Sequence, residues 1–159
     1  MPQLNKGGKY VFGLSAISNR REILFPAETL EQYPVQKEGR IIIFTGSKIT
    51  GGFCVTSKQL LGQSKLKHIL DDCPALSQYT IEFVRYKGRG YTWLHISQNG
   101  VVRLPENTMR YLNLSCGDIL MSIKSSDIAF TMGARGPLMD KVHSYPGHIK
   151  EYRVTCCGQ

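Results

Sequence analysis

The segment ISNRREILFP, residues 17–26, returns about 79 residues later as ISQNGVVRLP, residues 96–105. After the prolines, with one extra residue in the first copy, the matched pairs are Thr29 with Thr108, Val35 with Leu114, Gly39 with Gly117 and Ile41 with Ile119. A repeat at a fixed period is the sequence signature of related structural units that share a core. The chain therefore predicts two copies of one unit.

Each copy has the same order of local signals. An apolar run of β-branched or bulky residues favours a strand. Proline then ends strand pairing and can open a short helix, which we expect over residues 27–32 and 106–111. Gly39 and Gly117 supply a permissive backbone before a second apolar run. The predicted unit is strand, proline-led helix, glycine, strand.

The second copy, ISQNGVVRLPENTMRYLNLSCGDILMSI at residues 96–123, resembles the AbrB, MazE and SpoVT group of small DNA-binding modules. The matching positions are Gly100, Pro105, Leu112, Leu114, Gly117 and Asp118. The first copy matches at Pro26, Tyr33, Val35 and Gly39, with Arg40 where the family has aspartate. Together the two copies cover about two thirds of the chain.

Members of this family are typically homodimers in which two identical hairpins interleave into a small barrel. Because both hairpins lie on one polypeptide here, the resemblance implies a mainly β fold with short helices (α+β), closed as an intramolecular pseudo-dimeric barrel. We expect the units at residues 9–76 and 77–157, packed as one compact domain. The alternative is two independent sandwiches joined by a linker, although so short a unit buries little surface alone.

The resemblance also implies where DNA would be contacted. The family's contact positions correspond here to Leu94, Val101, Met109 and Arg110 in the second copy, and to Ser15, Glu22, Leu30 and Glu31 in the first. Arg110 is the one basic residue in this set, and Arg20, Arg21 and Arg103 lie close enough in sequence to substitute. We therefore predict that Arg20, Arg21, Arg103 and Arg110 contact double-stranded DNA.

Charge agrees with an anionic partner. Twenty Lys and Arg residues against twelve Asp and Glu give a formal net charge of +8, and such a surplus attracts polyanions. The leading hypothesis is a DNA-binding transcriptional regulator, as a monomeric pseudo-dimer or a dimer of pseudo-dimers. The alternative is a protein-interaction module that uses exposed aromatic anchors such as Tyr86, Tyr91 and Trp93.

The segments that follow each copy also carry local signals. A helix that Ser64 caps is expected around Leu66, Ile69 and Leu70. Further predicted elements are a hairpin with strands at residues 79–86 and 91–94, a short helix at residues 136–142 and a closing strand at residues 149–155.

The cysteines do not indicate a metal site or a disulfide framework. Cys54, Cys73, Cys116, Cys156 and Cys157 are odd in number and lack Cys-x-x-Cys spacing, which is typical of reduced thiols. His143 and His148 have the one suggestive spacing among the histidines, which is too little for a zinc site. We predict no bound metal.

Catalytic motifs are weak, so we predict neither an enzyme nor a cofactor. Residues 46–51 have the glycine spacing of a phosphate-binding loop, but Gly52 and Phe53 stand where Lys and Ser or Thr are required. We expect a hairpin turn there. No apolar run approaches the roughly 20 residues that span a bilayer, and no secretory signal is evident, so a cytoplasmic protein without membrane contact is expected.

Overall fold

The computed structural model describes residues 10–63, 68–72, 83–86 and 88–154. The strands are β1 (Val11–Ala16), β2 (Glu22–Leu24), β3 (Arg40–Thr45), β4 (Phe53–Thr56), β5 (Val84–Tyr86), β6 (Arg89–His95), β7 (Val101–Arg103), β8 (Ile119–Lys124), β9 (Phe130–Gly133) and β10 (Glu151–Tyr152). The α-helices are α1 (Ala27–Gln32), α2 (Lys58–Gly62), α3 (His68–Asp72), α4 (Glu106–Leu112) and α5 (Pro137–Ser144), with a 3-10 helix at Val35–Glu38.

Eight strands form one sheet in the order β10-β1-β8-β9-β4-β3-β6-β5, and β2 pairs with β7 apart from it. The expected mixture of strands with short helices is confirmed. The expectation of a closed barrel is wrong for the described strands, since β10 and β5 are opposite edges of an open sheet. In the chain, β2 lies between β1 and β3, and β7 lies between β6 and β8. These two strands pair with each other in a separate ribbon, so they do not help to close the large sheet.

The β2–β7 ribbon is antiparallel and is centred on the pair Ile23–Val102. Its flanking pairs are Glu22–Arg103 and Leu24–Val101. In the sequence repeat Ile23 matches Val102, Glu22 matches Val101 and Leu24 matches Arg103. The pairing pattern is therefore unchanged when the two copies are exchanged.

The centre of the large sheet has the same property. β4 and β9 pair through Cys54–Thr131, with Phe53–Met132 and Val55–Phe130 on either side. Phe53 and Phe130 begin their strands, which follow β3 and β8 in equivalent antiparallel hairpins. Exchange of the copies again leaves the register unchanged.

One part of the sequence alignment is shifted by a residue. Ser15 pairs with Leu120, and Leu94, which matches Ser15 in the repeat, pairs with Ile41. Ile41 is therefore the counterpart of Leu120 rather than of Ile119. The cause is Asp118, which lies between Gly117 and β8, whereas β3 begins directly after Gly39.

The main hydrophobic core lies on the sheet face that the β2–β7 ribbon covers. It contains Ile23 and Phe53 from the first predicted unit together with Val102 and Phe130 from the second. The rings of Phe25 and Phe130 meet edge to face with centroids 5.3 Å apart, a favoured aromatic geometry. Both units thus contribute to a single core.

Two smaller clusters cover the opposite face of the sheet. One places Leu61 of α2 and Ile69 of α3 against Ile42, Tyr91 and Trp93. The other places Met139 and Val142 of α5 against Val11, Met121 and Ile123. The sheet therefore has apolar residues on both faces.

Most of the expected local elements are present. α1 and α4 confirm the two proline-led helices, and α5 confirms the helix predicted at residues 136–142. α3 and β5 confirm the described parts of the helix and hairpin between the copies, while Ser64, Leu66, residues 79–82 and Lys87 lie outside the described residues. The closing strand is shorter than expected, since β10 has two residues.

Candidate nucleic-acid interface

Two turns of the same construction lead into the β2–β7 ribbon. The backbone N–H of Glu22 donates to Ser18 Oγ at 3.1 Å, and that of Val101 donates to Ser97 Oγ at 3.0 Å. Arg21, with φ 62°, occupies in the first turn the place of Gly100, with φ 87°, in the second. A left-handed backbone is uncommon for a residue with a side chain, so contacts elsewhere must hold Arg21 in place.

Those contacts come from the second copy. Arg21 Nε donates to the Leu104 carbonyl at 3.1 Å, and Arg21 Nη1 lies 3.4 Å from Glu106 Oε1. The Leu104 N–H in turn donates to the Arg21 carbonyl at 2.7 Å. The Arg21 side chain is 27% exposed. Arg21 therefore ties the first turn to the start of α4.

Arg20 and Arg103 are exposed near the same end of the ribbon. Arg103 ends β7 directly across from Glu22. Side chains at directly opposed positions can approach closely, so Glu22 is the acidic residue across the ribbon from Arg103. Arg20 precedes Arg21 in the turn and has its backbone N–H 3.3 Å from Ser18 Oγ.

Arg110 lies on the exposed side of α4. The helix buries Thr108, Met109 and Leu112. Because residues four apart lie on one helix face, Arg110 follows Glu106, the partner of Arg21, along that face. The four predicted arginines thus lie on β7, on α4 and in the turn that leads into β2, with Arg21 bound to the helix that carries Arg110.

The positions that the family resemblance implies differ in accessibility. Ser15, Leu94 and Met109 are buried. Val101, Glu22 and Leu30 are half-buried, whereas Glu31 and Arg110 are exposed. Within that set, Arg110 combines a positive charge with an exposed position.

The aromatic residues expected as exposed anchors are mostly inside the protein. Tyr91 is 6% and Trp93 3% exposed, and both pack in the cluster beneath α2 and α3. Tyr86 is half-buried and donates its hydroxyl to Asp72 Oδ2 at 2.7 Å. The expectation of exposed Tyr91 and Trp93 is wrong because β6 is covered on both faces.

The other reactive side chains in the described part of the chain form no metal site. Residues 46–51 join antiparallel β3 and β4, so the predicted hairpin turn is confirmed. Cys54 is a buried free thiol and Cys116 an exposed one, and the remaining cysteines lie outside the described residues. Among the described residues, no group of three or more His, Cys, Asp or Glu side chains could hold a metal ion.

Sequence reasoning missed a groove on the sheet face opposite the β2–β7 ribbon. This outer groove has a volume of about 850 Å³ and contains Cys54 and Thr131, whose side-chain Sγ and Oγ1 atoms lie 3.4 Å apart. Phe53 and Val55 alternate with Cys54 and belong to the main core, so Cys54 faces away from it. No sequence motif marks the groove, because it is formed by residues from distant segments.

No protein-family model matches this chain, and no curated protein matches it. In the part of the chain that the structure describes, none of the helices has both the length and the apolar character needed to cross a membrane.

Proposed function

We propose that this chain is an AbrB-like DNA-binding protein and a transcriptional regulator, in which two tandem copies of one unit replace the two subunits of a homodimer. One observation carries the proposal. Ile23 pairs with Val102 and Cys54 pairs with Thr131, so equivalent strands of the two copies meet in a symmetric register. Duplex DNA has a backbone with local two-fold symmetry, and symmetric binding proteins match it.

The charge distribution supports DNA as the partner. The chain has a formal net charge of +8, and exposed arginines lie in the turn before β2 (Arg20), on β7 (Arg103) and on α4 (Arg110). Arginine side chains on rigid elements can contact phosphates and base edges from defined positions. The protein-interaction alternative loses support because Tyr91 and Trp93 are buried.

The four arginines have different proposed roles. Arg110 makes the leading contact, and Arg20 and Arg103 bind phosphates beside it. Arg21 positions the surface, because its guanidinium already contacts Leu104 and Glu106. The pseudo-dimer acts as a monomer or as a dimer of pseudo-dimers. The free thiols Cys54 and Cys116 fit the reducing cytoplasm.

Duplex DNA binding measured at several salt concentrations tests the proposal. Each phosphate contact that is removed should lower the slope of log affinity against log salt by about one. We expect Arg110→Ala to weaken binding and reduce this slope. Fluorescence anisotropy with labelled duplexes of varied sequence measures both quantities.

Arg153→Ala is the matched control. Arg153 is exposed and follows β10, the edge strand, where it pairs with Glu151 at 3.0 Å. This variant loses one positive charge, as Arg110→Ala does, but keeps all four proposed DNA-contacting arginines. Its DNA binding should therefore remain close to that of the parent. Parent protein without salt-sensitive DNA binding, or equal binding by Arg110→Ala and the parent, would overturn the proposal.

A further inference from the structure

The outer groove lies where the two copies meet. β4 and β9 run side by side at the centre of the sheet and contribute Cys54 and Thr131 to the groove. α3 contributes Ile69 from one side, and α5 contributes Leu138 and Lys141 from the other. Its volume of about 850 Å³ is within the range of small-molecule sites in proteins.

Aromatic side chains form one wall of the groove. The rings of Phe44 and Tyr91 stack with centroids 5.3 Å apart and an interplanar angle of 27°. Tyr86 meets Tyr91 at a steeper angle, with centroids 6.4 Å apart. Leu138 and Ile123 are among the apolar residues contributed by other segments. Such a lining favours a flat, apolar ligand body.

The charged side chains among the described lining residues are Arg89 and Lys141, and this set contains no Asp or Glu. The Arg89 guanidinium lies over the Phe44 ring, 5.6 Å from its centroid, and Nη1 donates to the Thr45 carbonyl at 3.1 Å. Since guanidinium has five N–H donors, this contact orients the group and leaves other donors for a ligand. The positive charge on this lining favours an anion.

We propose that the outer groove binds a small aromatic carboxylate, with the aromatic body beside Phe44 and Tyr91 and the carboxylate near Arg89 and Lys141. Charge complementarity selects the carboxylate, because Arg and Lys provide charge-assisted hydrogen bonds to it. The stacked wall selects the aromatic body. This binding does not depend on DNA binding, since the groove lies on the other face of the sheet from the ribbon.

Anilinonaphthalene sulfonate, a fluorescent aromatic anion, is the first probe, and phenylnaphthylamine, which has the same aromatic framework without the acid, is its neutral match. We expect saturable binding of one sulfonate probe per chain, and displacement of that probe by naphthoate. Arg89→Gln and Lys141→Met should each weaken binding of the anionic probe by about tenfold, which corresponds to one charge-assisted contact. Binding of the neutral probe should hardly change.

Lys37→Met is the matched control, because Lys37 is exposed on the 3-10 helix and does not line the groove. It should bind both probes as the parent does. Phe44→Leu should weaken the binding of both probes, because both use the aromatic wall. Thermal melting followed by circular dichroism establishes that each variant is folded. Lack of saturable binding, lack of displacement by naphthoate, or equal losses in Lys37→Met and Lys141→Met would overturn the proposal.

Discussion

Thr29 and Thr108 occupy the same position in the two copies, yet their hydroxyls differ in hydrogen bonding. Both side chains are fully buried. Thr29 Oγ1 lies 3.0 Å from Ser122 Oγ, whereas Thr108 Oγ1 has no hydrogen-bond partner among the described residues. The strand register explains the difference, because the counterpart of Ser122 in the first copy is Ile43. A buried hydroxyl without a partner costs free energy.

Valine substitutions at these two positions should therefore have opposite effects. Thr108→Val removes an unpaired hydroxyl and should raise the free energy of unfolding by about 1 kcal/mol. Thr29→Val leaves Ser122 without its partner and should lower it by about 1 kcal/mol. Urea unfolding followed by fluorescence of Trp93, the single tryptophan, measures both. Changes in the same direction would contradict this account.

Tyr33 connects the first copy to the loop after β8. It is 2% exposed and donates its hydroxyl to the Ser126 carbonyl. Burial raises the pKa of Tyr33 above its ordinary value of 10.0, and the negative charge of Asp127 raises it further. The folded protein therefore favours the neutral phenol more strongly than the unfolded chain does.

This pKa shift predicts a loss of stability in alkali. A pKa that is higher in the folded state contributes stability below the unfolded value of about 10, and the contribution disappears as pH rises through the folded value. The Tyr33→Phe variant lacks this contribution. The difference in free energy of unfolding between parent and variant should therefore narrow above pH ~10. Urea unfolding across this range measures the difference. Tyr10→Phe, at a 40% exposed tyrosine, is the control, and a constant difference for Tyr33→Phe would contradict the prediction.

At the scale of elements, the two turns that lead into the ribbon each contain one residue with a left-handed backbone, and the residue type differs between them. Gly100, at φ 87°, faces Leu30, and an added Cβ would collide with Leu30 Cδ1. Arg21 tolerates the left-handed backbone in the other turn because Leu104 and Glu106 hold its side chain. An alanine at Gly100 would have no polar group with which to make such contacts, so its left-handed backbone would remain strained.

Gly100→Ala should lower the free energy of unfolding by about 1–3 kcal/mol, through backbone strain and the contact with Leu30. The matched control is Gly62→Ala at the end of α2, where a Cβ would meet nothing within 4 Å. That change should raise stability by about 0.5–1 kcal/mol. Thermal melting measures both variants. Equal melting temperatures for Gly100→Ala and the parent would contradict the strain.

The elements were predictable where a local signal acts alone. Pro26 and Pro105 immediately precede α1 and α4, as their fixed φ and missing N–H lead one to expect. The register of β8 was not predictable, because one residue more or less between a glycine and a strand leaves the apolar pattern nearly intact. The burial of Tyr91 and Trp93 also depends on α2 and α3, which lie elsewhere in the sequence. The predicted arginines are on the expected elements, but the contacts of Arg21 depend on a residue 85 positions away.

At the scale of the molecule, one core receives residues from both predicted units. Ile23 and Phe53 come from residues 9–76, and Val102 and Phe130 come from residues 77–157. The ribbon and the β4–β9 pair each take one strand from either unit. Separating the units would expose this core on both sides.

Division of the chain between residues 76 and 77 should therefore abolish independent folding. At low concentration neither half is expected to melt cooperatively, whereas a mixture of the two should recover a cooperative transition and the near-ultraviolet dichroism of the intact chain. The intact chain is the control. Cooperative melting of each half as a monomer would instead support two independent sandwiches.

The pair Cys54–Thr131 shows that the two sides of this molecule can differ in sequence at their common axis. In a dimer of identical chains, the residue at the symmetry axis always faces its own duplicate, so each choice has to be compatible with itself. Here a thiol faces a hydroxyl at 3.4 Å, a combination that a symmetric homodimer cannot place on its axis. Because separate segments of one chain form the two sides, a single mutation alters one side and leaves the other unchanged. The two sides of the axis can therefore come to differ in sequence, and in the surfaces that they present, while the pairing of the strands stays the same.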